Sequence, residues 1–126
     1  MVSSPPTVLK VLIADDHELT RCTLKLTLMR HSYLKLVGMA CNGQEVVQQV
    51  MEKRPDVVIL DMHMPVMDGW SASRLIKQQF PETRIVAYSS VEGGKAKALN
   101  EGAIVDAFCE KGTCVNQIVE VIRSLF

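Results

Sequence analysis

Val57-Val58-Ile59-Leu60-Asp61-Met62-His63-Met64-Pro65-Val66-Met67-Asp68-Gly69 is the stretch on which the reading of this chain turns. Its first four residues are all apolar and mostly β-branched, the pattern of a short strand covered on both faces. The run stops at a carboxylate, Asp61, and a loop carrying Pro65 and Gly69 follows. Strands of that kind lie in the middle of parallel sheets, and open parallel sheets carry their working groups in the loops at the strands' carboxyl ends. Asp61 therefore stands at a place where chemistry is expected.

Outward from this strand, short apolar runs alternate with helical periodicity. Val8–Ala14 is apolar apart from Lys10 and reads as a first strand; Leu34–Ala40 reads as a second. Between them Leu19, Cys22, Leu26 and Met29 recur at three- and four-residue steps, which predicts a helix over Leu19–Arg30 with that stripe facing the core. Asn42 and Glu45 can form a capping box before a helix whose inner face is Val46, Val47, Val50 and Met51, closed by Pro55. After Asp61 a helix is expected over about Ser71–Phe80, stopped by Pro81. Arg84–Tyr88 is the fourth strand, Gly94–Glu101 a small-residue helix ending at Gly102, and Ala107–Cys109 a short fifth strand. Thr113 then caps a last helix carrying Val115, Ile118, Val119 and Ile122. Five strands alternating with five helices imply an α/β fold. It is a doubly wound (βα)5 unit with a five-stranded parallel sheet in the flavodoxin-like order 2-1-3-4-5 and helices on both faces. Residues 1–7 read as a flexible N-terminal tail and 8–126 as the domain.

Bulk composition narrows the function. A chain of 126 residues with 48% hydrophobic side chains suits one domain with a real core. The 14 basic and 14 acidic residues balance, and no basic stripe is present to meet a phosphate backbone, so direct nucleic-acid binding by these residues is not expected. Met1–Thr7 has no apolar targeting core, and no run reaches the length of a membrane span. Cys22, Cys41, Cys109 and Cys114 lack paired CxxC spacing and read as buried free thiols in a reducing, cytoplasmic setting.

The chemistry gathers at the strand ends. Asp15 and Asp16 follow the first strand and Asp61 ends the third, and those strands are neighbours in the expected order. A lone aspartate there is usually a turn cap. Three on adjacent strands are something else. Close carboxylates repel, so at least one should have a raised pKa. Hard oxygen ligands with an incomplete shell suit Mg²⁺, which keeps waters and borrows phosphate oxygens. Asp61, on the central strand, is the expected nucleophile in a phosphoryl transfer. Ser89 after the fourth strand and Lys111 after the fifth offer a hydroxyl and a long cation to the phosphoryl oxygens, although either alone would be an ordinary turn or surface residue.

These residues carry a resemblance. Val11-Leu12-Ile13-Ala14-Asp15-Asp16-His17, Ile59 to Gly69, and Phe108-Cys109-Glu110-Lys111 are similar to the receiver domains of two-component response regulators, over about residues 8–125. The Asp-Asp-His start, with Arg21 following, looks most like receivers that precede a LuxR-type helix-turn-helix. The resemblance implies that Asp61 takes phosphate from a sensor histidine kinase or phosphotransfer protein. It implies Mg²⁺ held by Asp16 directly, by Asp15 mostly through water, by Asp61 and by the backbone carbonyl of His63. Ser89 would be the switch hydroxyl, Phe108 the aromatic that swings in behind it, and Lys111 the partner of the phosphate. The readout would be a surface made by the last helices and strand, for an output domain or a homodimer. Whether the chain is stand-alone or part of a longer regulator stays open.

Three departures from the family pattern stand out. Ser89 replaces the usual threonine but keeps the hydroxyl. Gly112 replaces the proline that often follows the lysine, which leaves the isomer of the Lys111–Gly112 bond open. The stretch from Gly102 to Phe108 is longer than usual and adds Ile104 and Val105, either a loop tucked on the core or a docking surface. His63, at the mouth of the site, is a candidate for tuning acyl-phosphate hydrolysis. Two other classes compete with this reading. A phosphorylation-independent interaction module needs none of the chemistry. A Mg²⁺-dependent phosphatase with an aspartyl intermediate usually needs a second Asp where His63 stands. Flavin binding suits the fold, but the strand-end loops are acidic where its phosphate would lie.

Overall fold

Alternation along the strands builds a two-sided core, because successive side chains of a strand point to opposite faces. The computed structural model describes residues 8–89, 102, 104–111 and 115–126. The strands are β1 (Leu9–Ala14), β2 (Leu34–Ala40), β3 (Val57–Asp61), β4 (Arg84–Ser89) and β5 (Ala107–Glu110). All pair in parallel in the order β2-β1-β3-β4-β5, as expected. Helices α1 (Glu18–Met29), α2 (Gly43–Lys53), α3 (Gly69–Gln79) and α4 (Asn116–Ser124) flank it. The helix expected over Gly94–Glu101, the Thr113 cap, Cys114, the Lys111–Gly112 bond and the 1–7 tail lie outside the described residues.

One core layer packs Leu12, Val58, Leu60, Ile85 and Ala87 of the sheet against Val46 and Val50 of α2 and Ala72 and Ile76 of α3. The other packs Val11, Ile13, Val57, Ile59 and Val86 against Leu24 and Leu28 of α1 and Ile118, Val119 and Ile122 of α4. Every β3 residue is buried, so the sequence's most apolar strand is its centre. The edge strand β2 is blunted: Lys53 donates to the Val37 carbonyl at 2.9 Å and Gln49 to the Met39 carbonyl at 2.9 Å.

Helix ends follow local chemistry. The Glu45 amide donates to the Asn42 side chain at 2.8 Å, so Asn42 caps the helix, while the Glu45 carboxylate accepts from the Asn42 side-chain amide at 3.1 Å and not from its backbone as a capping box would. In α3 the Asp68 carboxylate accepts from the Ser71 amide at 2.8 Å, which starts that helix at Gly69 rather than Ser71.

Three sequence expectations are corrected. The α1 stripe of Leu19, Cys22, Leu26 and Met29 faces solvent, while Leu24, Thr27 and Leu28 are buried. Thr27 enters the core because its hydroxyl is satisfied by the Thr23 carbonyl at 3.0 Å, freeing the neighbouring leucines to set the inner face. Met51 of α2 is likewise exposed. Of the cysteines, Cys109 is buried, and burial pushes its thiol pKa up, whereas Cys22 and Cys41 are exposed.

The lengthened stretch before β5 divides its two apolar residues. Val105 packs on the core while Ile104 is half exposed, its amide donating to the Ser73 hydroxyl at 3.0 Å. Asp106 anchors this stretch by accepting from the Ile85 amide at 2.7 Å and pairing with Lys77 at 2.6 Å. Burial opposes its ionisation, but Lys77, the Ile85 amide and Arg84 together hold its pKa below the ordinary 3.8. Its stabilising contribution is therefore present above the ordinary carboxylate range and is lost as pH falls through the depressed value. Asp106→Ala should cost about 2 kcal/mol at pH 7 in urea unfolding, the size of a charged hydrogen bond, and less in acid.

Candidate functional site

β1 and β3 are adjacent, so their carboxyl ends deliver Asp15, Asp16 and Asp61 to one place. Ligand atoms of these three and of His17 all lie within 4.8 Å of one another. Asp15 and Asp61 are 1% and 3% exposed, so both carboxylates stand out of bulk water, while Asp16 faces the solvent. Asp15 is fixed by its backbone: its amide donates to the Ala40 carbonyl at 3.0 Å and its carbonyl accepts from Arg21 at 2.8 Å.

β4 and β5 bring up the other two residues. Ser89 ends β4, buried, one pair beyond the Asp61–Tyr88 partners. Its carbonyl accepts from the Lys111 amide at 2.8 Å, which ties the ends of β4 and β5 together. The Lys111 ammonium pairs with the Asp15 carboxylate and lies 3.5 Å from Asp61 Oδ2. Phe108, on the opposite face of β5 from Cys109, is half-buried against the α2–α3 core layer.

Electrostatics single out Asp61. Burial, reinforced by the Asp15 charge, pushes its pKa up to about 6; Lys111 and the His63 amide pull the other way. The raised carboxyl expected of clustered acids is thus Asp61 itself. One of its oxygens, Oδ1, accepts from the His63 amide at 3.2 Å. The other, Oδ2, is buried and accepts no hydrogen bond from the described residues. A buried carboxylate oxygen with no hydrogen bond, only the Lys111 charge at 3.5 Å, beside two further carboxylates, fits a hard divalent cation such as Mg²⁺.

His17 escaped the sequence reading. Its Nδ1 lies 3.1 Å from Asp15 Oδ1 and 3.0 Å from Asp16 Oδ1, between the two acids. The available signal was its place directly after Asp16, at the start of α1, where a side chain folds back over the strand end. The His63 ring packs edge-on to Trp70, centroids 4.9 Å apart, so the side chain is held by α3.

The loop between Asp61 and α3 contains a strained residue. Val66 has φ 70 and is 76% exposed, and the Met67 amide donates across it to the Pro65 carbonyl at 2.8 Å. A β-branched side chain in this left-handed region costs roughly 1–2 kcal/mol, which glycine avoids. Val66→Gly should raise the unfolding free energy by about 1 kcal/mol, read as a higher urea midpoint with an unchanged slope.

The family model for the response regulator receiver domain matches residues 11–123. The chain is 32% identical over 120 residues to the response regulator protein VraR of Staphylococcus saprophyticus, covering 94% of this chain and 56% of that protein. It thus spans about half the length of that relative. Among solved structures it resembles the response regulator domain of Thermotoga maritima CheB, at TM-score 0.83 and 31% identity, covering 94% of this chain and 96% of that one. The receiver domain of the response regulator NarL from Mycobacterium tuberculosis superposes with TM-score 0.85 at 26% identity, covering 94% and 96%. With its strand order, its strand-end acids and these matches together, the chain belongs to the receiver domains of two-component response regulators.

Proposed function

We propose that Asp61 is the phosphoacceptor of this receiver and that Mg²⁺ is its cofactor. The observation that carries the reading is the convergence of Asp15, Asp16 and Asp61, with Asp61 buried and Lys111 at 3.5 Å. An Asp61 carboxylate oxygen attacks the phosphorus of a phosphohistidine, forming the acyl phosphate as the phosphorus–nitrogen bond breaks and the imidazole leaves. Asp15, Asp16, Asp61 and the His63 carbonyl would hold Mg²⁺, which when bound neutralises charge on the phosphoryl oxygens. Lys111 then exchanges its contact with Asp15 for a phosphoryl oxygen, and Ser89 donates its hydroxyl to another.

A hydrogen bond to a charged group contributes about 1.5–3 kcal/mol. Two new ones approach the roughly 5.5 kcal/mol needed to carry a two-state equilibrium from 1:99 to 99:1. Lys111 and Ser89 sit on strands joined at their ends, so the movement is passed to β5, where Phe108 turns inward, and on to α4. That face would meet an output domain, for which a helix-turn-helix is the reading suggested by the Asp-Asp-His start, or a second receiver. The phosphoryl donor would be a sensor histidine kinase or phosphotransfer protein in the cytoplasm. The chain acts as a switch, catalysing only its own phosphoryl transfer and loss. No helix among the described residues is long and apolar enough to cross a membrane.

Incubation with acetyl phosphate tests this without a kinase. With Mg²⁺ present the intact mass should rise by one phosphoryl group, localised to Asp61 after borohydride trapping. Excess chelator should remove the signal. Equal labelling with and without the chelator would overturn the metal assignment, and labelling at another residue would overturn the nucleophile.

A further inference from the structure

Of the four described side chains gathered at the ends of β1 and β3, His17 has no part in the phosphoryl transfer proposed above. It stands at the N-cap of α1, yet its side chain does not cap that helix. Its backbone amide donates to Asp15 Oδ1 at 2.8 Å, which turns the ring back over the strand end. There Nδ1 is almost equally far from two acids, 3.1 Å from Asp15 Oδ1 and 3.0 Å from Asp16 Oδ1. A ring nitrogen carries at most one hydrogen, so a hydrogen bond would favour one acceptor over the other. Equal spacing suits neighbouring ligands of one cation. Around an octahedral ion with bonds of about 2.1 Å, adjacent donor atoms stand about 3.0 Å apart. Asp61, 3% exposed, adds the oxygen Oδ2, which accepts no hydrogen bond from the described residues and has the Lys111 charge at 3.5 Å.

We infer, on the strength of the metal site proposed above, that His17 is a nitrogen ligand of that site and shifts its choice toward borderline divalent cations, Co²⁺, Ni²⁺ and Zn²⁺, relative to Mg²⁺. Carboxylates and water suit Mg²⁺, whereas imidazole suits the later transition metals and zinc. The acids alone would hold either kind of ion; one nitrogen adds a preference that Mg²⁺ does not share. The His17 side chain is 66% exposed, so no packing has to be broken for it to reach an ion held by Asp15 and Asp16. Asp15 can serve both neighbours, because its Oδ1 faces His17 while its Oδ2 pairs with Lys111. Such a receiver answers to the cation that fills it as well as to its phosphoryl donor.

Calorimetric titration of the full chain with Mg²⁺ and with Co²⁺, at one pH, gives the Kd of each ion for the parent and for His17→Ala. Losing a side chain that merely supports a metal ligand costs about 10–100-fold in metal affinity, so losing the ligand itself should cut the preference for Co²⁺ over Mg²⁺ at least about tenfold. Proton NMR gives an independent readout. The Co²⁺-loaded parent should show a far-shifted imidazole N–H signal that exchanges away in D₂O and is missing from His17→Ala. A preference left unchanged by the substitution would overturn the inference and leave the Mg²⁺ site standing; an imidazole that only neutralises the acids would produce that result by strengthening both ions alike. No such signal in the parent, or one that persists in His17→Ala, would overturn it as well. Failure of both ions to bind the parent would remove the metal site and the role of His17 together.

Discussion

Asp61→Asn should abolish labelling by acetyl phosphate and, in chelator at pH 7, make the protein more stable by up to about 3 kcal/mol. The two effects have one cause. Burial and the neighbouring Asp15 charge hold the Asp61 pKa at about 6, against an ordinary 3.8. The folded protein thus binds this proton more tightly than the unfolded chain does. Between about pH 4 and pH 6 the native state carries more protons than the unfolded state, so stability falls as pH rises through that window. Above it the penalty is complete: the difference between 3.8 and about 6, at 1.36 kcal/mol per pH unit, comes to about 3 kcal/mol. Asparagine keeps the shape, cannot ionise and removes the penalty, together with the proposed nucleophile. The gain should vanish near pH 4, where the parent is protonated too. Mg²⁺ should raise the parent's urea midpoint through preferential binding to the folded state and leave the variant's nearly unchanged. An Asp61→Asn protein less stable than its parent at pH 7, or one whose gain is the same at pH 4, would contradict this account.

Such a trade of stability for reactivity is what a functional site in a well-formed core looks like. It also explains why the site was legible before any coordinates. The apolar runs ending at Ala14 and Leu60 could only be central strands, and carboxylates directly after them could only meet at a common sheet edge. The strand ends that carry Ser89 and Lys111 follow from the same pattern, while the sheet order came from the flavodoxin-like fold and the place of Phe108 from the family resemblance. What the pattern did not reveal was the inner face of α1. Leucines at 19, 24, 26 and 28 occupy both sides of that helix, so periodicity alone offers two stripes, and the buried one includes Thr27. Its hydroxyl bonds inside its own helix, which no hydropathy rule weighs. His17 was missed for a related reason: its role depends on the turn that folds it over two acids, a matter of backbone path rather than residue type.

Backbone path also governs the last prediction. Gly69→Ala should destabilise the protein by about 3 kcal/mol and slow acetyl-phosphate labelling roughly 100-fold, with Asp61 itself untouched. Gly69 opens α3, and its amide donates to the Met62 carbonyl at 2.9 Å, drawing the helix start onto the end of β3. A Cβ there would lie 2.2 Å from the Asp61 carbonyl oxygen and 2.6 Å from the Met62 Cα. Both are backbone atoms of the central strand or its first loop residue, with no side-chain rotation to relieve the clash. Overpacking of this kind costs typically 1–3 kcal/mol, and a rigid neighbour puts the cost at the upper end. Alanine's better helix propensity returns less than 1 kcal/mol at such a position. Relief requires α3 to move away from β3, and the loop holding His63 moves with it. The His63 amide hydrogen bond that aims Asp61 Oδ1 is then stretched from 3.2 Å. A displacement near 1 Å at the reacting atom can cost about 100-fold in rate. Urea unfolding reads the first effect and a labelling time course the second. Ala72→Gly, which removes a buried methyl one turn further along the same helix, separates them: it should destabilise the fold while leaving the labelling rate nearly intact. Equal slowing in both variants would mean that Gly69 serves general stability rather than the placement of the nucleophile.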